Sequence, residues 1–171
     1  MLSRILLAFC TLTGLSLFGG EGEKVSLPAP DVTGINQDGK TVSFKEVYAK
    51  GPTVVFFYPK ANTPGCTKQA CSLRDAFADL SKEGVQVLGV STDKPDAQKK
   101  FINDHKLPFD LIADPDGKVL EAFGVARMPA IGLATRQCFL VKGDKIVWHD
   151  AKASTAEQAA DIRRVLKEIG S

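Results

Sequence analysis

Between Pro59 and Asp75 the chain reads PKANTPGCTKQACSLRD, with Cys66 and Cys71 five positions apart. Thr63–Pro64 is a helix-start signal, a hydroxyl residue at the N-cap and proline at the first helical position. Gly65 and Cys66 then occupy the first turn. A thiol there sees backbone N–H groups that lack an intrahelical acceptor, and the positive end of the helix dipole. Both favour thiolate over thiol, and the thiolate is the nucleophile. Gly65 leaves room beside the sulfur for a small substrate. The chemistry on offer is that of an activated cysteine.

The second cysteine adds a constraint. In an intact helix, positions i and i+5 lie about 140° apart around the axis and about 7.5 Å along it, so their Cα atoms are roughly 8.6 Å apart. A disulfide needs Cα atoms within about 7 Å. Either Cys66 and Cys71 never pair, or pairing unwinds the first turns, which makes the segment a redox-linked switch.

The elements that position these residues follow from hydrophobic periodicity. Thr53–Tyr58 (TVVFFY) is a short β-branched and aromatic run with polar or breaker flanks, a buried strand that delivers the chain to Pro59. Pro64 to Lys82 is a helix with Ala70, Leu73, Phe77 and Leu80 on one face. Val85–Val90 is a second buried strand. Thr92–Asp93 followed by Pro95 caps a second helix ending near His105. Leu111–Ala113 is a short strand and Val119–Phe123 a short helix. Gln137–Val141 and Lys145–Trp148 pair around Gly143–Asp144. The last helix spans Thr155 to Ile169, with Ala159, Ile162, Val165, Leu166 and Ile169 inward. Upstream, Glu23–Pro30 is an extended lead-in, and Thr33 to Phe44 alternates around the Asp38–Gly39 hairpin turn. A hairpin, then β-α-β-α, then β-β-α requires parallel first core strands and an antiparallel late pair. This predicts an α/β, thioredoxin-like fold: a central mixed sheet with flanking helices and an N-terminal β-hairpin. The thiol then sits at the carboxyl end of the sheet, where open α/β sheets hold ligands.

Composition bounds the rest. The 171 residues are 44% hydrophobic and 25% charged, the profile of one soluble globular domain. The 22 basic and 20 acidic residues are well mixed, giving +2, which argues against a nucleic-acid partner. The 4 cysteines are too few for a disulfide-scaffolded module. No apolar run reaches the roughly 18 residues of a stable membrane span. Met1–Arg4 is a short positive start, Ile5 to Phe18 is almost wholly apolar, and Gly19, Gly20 and Gly22 supply small residues. Residues 1–22 therefore read as a secretory signal peptide, cleaved near Gly20–Glu23, although Phe18 stands where a small residue is preferred. Cys10 is a spare apolar residue of that signal. Residues 23–171 remain as the domain, in a periplasmic or secreted, oxidising setting where a disulfide persists.

Pro59, Thr63 and Cys66 form P-x-x-x-T-x-x-C, which resembles the active-site signature of the peroxiredoxins. The wider FYPKANTPGCTKQACSLRD is similar to the peroxiredoxin Q, or bacterioferritin comigratory protein, subgroup, and the similarity extends from about Pro28 to the last helix. The resemblance implies that Cys66 is the peroxidatic cysteine, attacking the O–O bond of hydrogen peroxide or an organic hydroperoxide and becoming a sulfenic acid. Cys71 would resolve it as an intramolecular disulfide. Thr63 would hydrogen-bond thiolate and peroxide, and Pro59 would shield the pocket from water. Arg136, in TRQCFLV, matches the family's second-site arginine and would stabilise the thiolate and the charge developing on oxygen. A thioredoxin-like dithiol protein would reduce the disulfide. No metal, haem, flavin or nicotinamide cofactor is implied, and the subgroup is often monomeric. The stretch VARMPAIGLAT departs from the subgroup by being shorter and lacking its Trp–Gly feature.

Other residues carry plainer expectations. Cys138 is a buried strand thiol. Gln69, one turn after Cys66, is read as an ordinary helix-surface residue with an alternative role in orienting a neighbour. His105 and His149 have no partner at metal-ligand spacing, Trp148 packs, and Lys99–Lys100 form a solvated face. A competing enzyme class, an exported thioredoxin-fold disulfide oxidoreductase, needs C-x-x-C, whereas Cys66 is followed by Thr67-Lys68-Gln69. A redox-insensitive exported binding domain is the non-enzymatic alternative.

Overall fold

The structure, a computed structural model, describes residues 22–170. The expected signal segment thus lies, but for Gly22, outside the described residues. In chain order the elements are β1 (Glu23–Pro28), β2 (Thr33–Asn36), β3 (Thr41–Ser43), α1 (Phe44–Tyr48), β4 (Thr53–Phe57), α2 (Pro64–Lys82), β5 (Gln86–Ser91), α3 (Pro95–His105), β6 (Asp110–Ala113), α4 (Lys118–Ala122), β7 (Gln137–Lys142), β8 (Lys145–Asp150) and α5 (Gln158–Ile169).

All 8 strands join one sheet in the order β1-β8-β7-β4-β5-β6-β2-β3. The crossovers through α2 and α3 make β4, β5 and β6 parallel, while β7 runs antiparallel to β4 on its other side. This is the expected thioredoxin-like mixed sheet with helices on both faces. Every residue of β4 is buried, and its side chains alternate between two cores. Val54 and Phe56, with Tyr58 beyond the strand, pack with α2, α3 and α5. Val55 and Phe57 pack with α1 and α4. Among the described residues no helix is long and apolar enough to cross a membrane.

Four expectations need correction. Glu23–Pro28 is not just a lead-in but an edge strand, antiparallel to β8, with Lys24 opposite Trp148. Its side chains are exposed at five positions and half-buried at Val25, so no alternation betrays it; main-chain pairing makes the strand. The residue capping α3 is Lys94, with Pro95 first in the helix, and neither Thr92 nor Asp93 caps it. The last helix begins at Gln158, not Thr155. The hairpin also ends sooner than expected, because the Ser43 side chain accepts from Glu46 N–H at 3.3 Å and starts α1.

Candidate active site

The junction of β4 and α2 is built as the helix-start signal requires. Thr63 has extended dihedrals (φ −93°, ψ 151°) and precedes Pro64, the first helical residue. The first rung of the helix is Thr67 N–H to Thr63 C=O at 2.8 Å. The N–H groups of Gly65 and Cys66 therefore lie ahead of the ladder. Thr63 Oγ1 donates to the Lys60 carbonyl at 2.9 Å and makes no side-chain cap. In this conformation the hydroxyl proton goes back to the loop and not to the sulfur. Pro59 is half-buried directly after the buried Tyr58.

The loop between them is pinned from neighbouring elements. Asp93 Oδ2 accepts from Ala61 N–H at 2.7 Å and from Ser91 Oγ at 2.8 Å. Asn62 adopts a left-handed φ of 58°, a conformation Asn tolerates better than most residues, and its Oδ1 meets His105 Nε2 at 3.0 Å. Behind the loop, burial pushes the Tyr58 phenol well up, so it stays a neutral donor, here to Gln98 Oε1.

Cys66 is 1% exposed. Its Sγ accepts a hydrogen bond from Arg136 Nη2 at 3.3 Å. The other arm of the guanidinium, Nη1, donates to Gln69 Oε1 at 2.5 Å. Arg136 stands just before β7, and β7 lies beside β4 with Gln137 opposite Phe57. Register alone thus brings residue 136 to the carboxyl end of β4, where α2 begins. Gly65 serves this contact: a Cβ there would sit 3.2 Å from Arg136 Nη2 and 3.9 Å from Cζ. The space expected for a small substrate is, in part, the space the guanidinium uses.

Cys71 is half-buried and lies in the same unbroken helix as Cys66. The geometric bar to direct pairing therefore applies to this conformation. Cys138 is fully buried, and burial first, then the Asp150 and Asp161 carboxylates, pushes its thiol well up. Burial thus favours the protonated thiol over the thiolate. His149 is held below its ordinary value by burial, stacks on Phe139 at 4.3 Å between ring centroids, and meets Gln137 Oε1 at 2.7 Å. Among the described residues no group of three or more His, Cys, Asp or Glu is placed to hold a metal ion.

Gln69 is the residue sequence reasoning placed wrongly. It is fully buried and not on the helix surface. The signal was present, because Cys66, Gln69, Ala70 and Leu73 repeat at i, i+3, i+4 and i+7 and share the buried stripe. Gln158 was missed altogether. It too is fully buried, and its Oε1 accepts from Gln69 Nε2 at 2.8 Å. That contact spans 89 positions and left no trace in local pattern.

Comparisons with known proteins agree with this geometry. A family model described as the AhpC/TSA family matches residues 25–149. The chain is 45% identical over 96 residues to a chloroplastic peroxiredoxin Q of Populus jackii, covering 56% of this chain and 45% of that protein. It is 47% identical over 107 residues to peroxiredoxin Bcp of Escherichia coli strain K12, covering 63% of this chain and 64% of that one. Among solved structures, the peroxidoxin BcpB of Mycobacterium tuberculosis matches with a TM-score of 0.79 and 31% identity, over 86% of this chain and 99% of that chain. The chain spans about half the length of the plant relatives it matches.

Proposed function

The chain belongs to the AhpC/TSA family, and from that premise we propose that it is a thiol-dependent peroxidase acting through Cys66. The observation that carries this reading is the Arg136 guanidinium on Cys66 Sγ, at 3.3 Å, at the first turn of α2. A fixed positive group and unpaired backbone N–H donors both favour a negative sulfur and an oxyanion leaving it.

The Cys66 thiolate attacks one oxygen of a hydroperoxide in line with the O–O bond. The S–O bond forms as the O–O bond breaks. The leaving oxygen departs with the electron pair and takes a proton, giving water or an alcohol. Sulfur, oxidised by two electrons, is left as sulfenic acid. Arg136 stabilises the sulfur before attack and the oxygens during it. Thr63, released from Lys60, would hydrogen-bond thiolate or peroxide, and Pro59 would keep water from the reacting atoms.

Cys71 then attacks the Cys66 sulfur, forming the disulfide and releasing water. The helix geometry requires the first turns of α2 to unwind for this step. A thioredoxin-like dithiol protein returns the two electrons by thiol–disulfide exchange. The oxidoreductase alternative is not favoured, because buried Gln69 occupies the position where C-x-x-C needs its second cysteine.

The reading includes residues 1–22 as an export signal and residues 23–171 as a monomeric working domain. Its support is the charged start and the apolar run Ile5 to Phe18. N-terminal sequencing of protein recovered outside the cytoplasm tests that part. For the chemistry, one equivalent of hydrogen peroxide is added to the reduced protein and the disulfide is mapped by mass spectrometry. A Cys66–Cys71 link is expected. A link to Cys138, or no loss of the Cys66 thiol, overturns it.

A further inference from the structure

We infer that Gln158, at the start of α5, is a positioning residue for the reaction at Cys66, acting through Gln69 and Arg136 and never touching the substrate. This rests on the peroxidase reading above and deepens it.

Three hydrogen bonds run in series. Gln158 Oε1 accepts from Gln69 Nε2 at 2.8 Å, Gln69 Oε1 accepts from Arg136 Nη1 at 2.5 Å, and Arg136 Nη2 donates to Cys66 Sγ at 3.3 Å. Both glutamines are fully buried. A primary amide has an acceptor end and a donor end, and Gln69 must show the acceptor to the guanidinium, which only donates. Flipped by half a turn, Gln69 would oppose its N–H groups to those of Arg136. The Gln158 carbonyl holds the donor end and so excludes the flip. The chain is polarised throughout, from the Gln158 carbonyl to the sulfur.

That polarity has a visible cost. Gln158 Nε2 is buried and has no hydrogen-bond partner among the described residues. An unpaired buried donor is unfavourable. If Gln158 served packing alone, an apolar residue of the same length would fill the place without leaving that donor unpaired. The arrangement makes sense if the acceptor oxygen is what the site needs.

The same end of α5 also grips α2 a turn further on. Ala159 N–H, one of the unpaired donors at the start of α5, is accepted by Ser72 Oγ at 3.1 Å. Gln69 and Ser72 are one helical turn apart, and Cys71 lies between them. Disulfide formation must pull Gln69 away from both Arg136 and Gln158. Holding Arg136 for the first step and releasing α2 for the second therefore make opposite demands on Gln158.

The test follows two rate constants in the full chain: oxidation of Cys66 by hydrogen peroxide, and disulfide formation from the sulfenic acid. Gln158→Met keeps length and apolar bulk but removes the acceptor. It is expected to slow the first step about two- to tenfold, the worth of one neutral hydrogen bond, and to speed the second. Gln158→Glu keeps an oxygen facing Gln69 and is expected to restore the first step to within about twofold. Ser72→Ala cuts the other α5–α2 bond, so it controls for loosened packing and is expected to leave the first step unchanged. Equal first-step rates in Gln158→Met and the wild type overturn the inference. So does equal slowing by Ser72→Ala, which would reduce Gln158 to a packing residue. Failure of wild-type Cys66 to react with peroxide sinks the peroxidase reading itself, a separate result.

Discussion

Replacing Arg136 with Met tests the electrostatics of the site most directly. The guanidinium makes two contacts there, one to Cys66 Sγ at 3.3 Å and one to Gln69 Oε1 at 2.5 Å. The first is a charge-assisted bond to the reacting atom, of the kind worth about 1.5–3 kcal/mol. If that stabilisation is present in the transition state and absent from the variant, the rate constant for peroxide falls about 10- to 150-fold. The second contact leaves a buried Gln69 oxygen unsatisfied, a stability cost of about 1–3 kcal/mol that appears in unfolding and not in chemistry. Rapid mixing with excess hydrogen peroxide, quenching with an alkylating agent and mass analysis of the Cys66 peptide separates the two. Arg136→Lys keeps the charge but not the planar fork that serves both partners, so it is expected to fall between Met and wild type. A double variant, Arg136→Met with Gln69→Met, is expected to lose little more rate than Arg136→Met alone, since both act through one contact. A folded Arg136→Met protein that reacts within threefold of wild type would falsify this account of the arginine.

Gly65→Ala is expected to cost up to about tenfold in the peroxide rate with little change in melting temperature. Its methyl would lie 3.2 Å from Arg136 Nη2 and displace the guanidinium, whereas alanine suits a helical turn. Cys71→Ser should leave the first oxidation intact but halt there, so that excess peroxide carries Cys66 on to sulfinic acid, seen as a mass gain of two oxygens. Cys138 should resist alkylation in the native protein at pH 8 and react fully in denaturant, because burial holds its proton on. His149 is held below its ordinary value by burial, which favours its neutral form in the fold. It favours the native state above pH 6.5, and that contribution is lost as the pH falls and the unfolded chain takes up the proton first. The urea midpoint should therefore drop between pH 7.5 and 5.5, and drop less in His149→Gln.

The reactive turn was legible because its signals are local. Thr63, Pro64 and Cys66 state where a helix begins and what stands in its first turn, and the structure keeps that order. Arg136 was a different matter. No periodicity or spacing picks out one arginine 70 positions from the cysteine; the resemblance supplied it, and the β4–β7 register explains it. The two glutamines divide in the same way. Gln69 sat on a readable apolar stripe and was misjudged because polar side chains are usually exposed. Gln158 depends on how α5 docks against α2. Asp93 looked like a helix cap because it precedes Pro95, yet its carboxylate crosses to Ala61 N–H. Strand β1 escaped notice because an exposed edge is made by main-chain pairing, which side-chain patterns do not report.

Helix α2 carries a second starting point inside itself. Ser72, followed three residues later by Asp75, is a serviceable N-cap with an acidic residue in the first turn behind it. Leu73, Ala76 and Leu80 remain buried anchors beyond it. When the turns ahead of Ser72 come undone, the helix has somewhere to stop fraying, and Ser72 can exchange its grip on α5 for a cap on its own chain. In the proposed cycle the rearrangement is thereby fenced to a few residues, and the sheet behind it is spared.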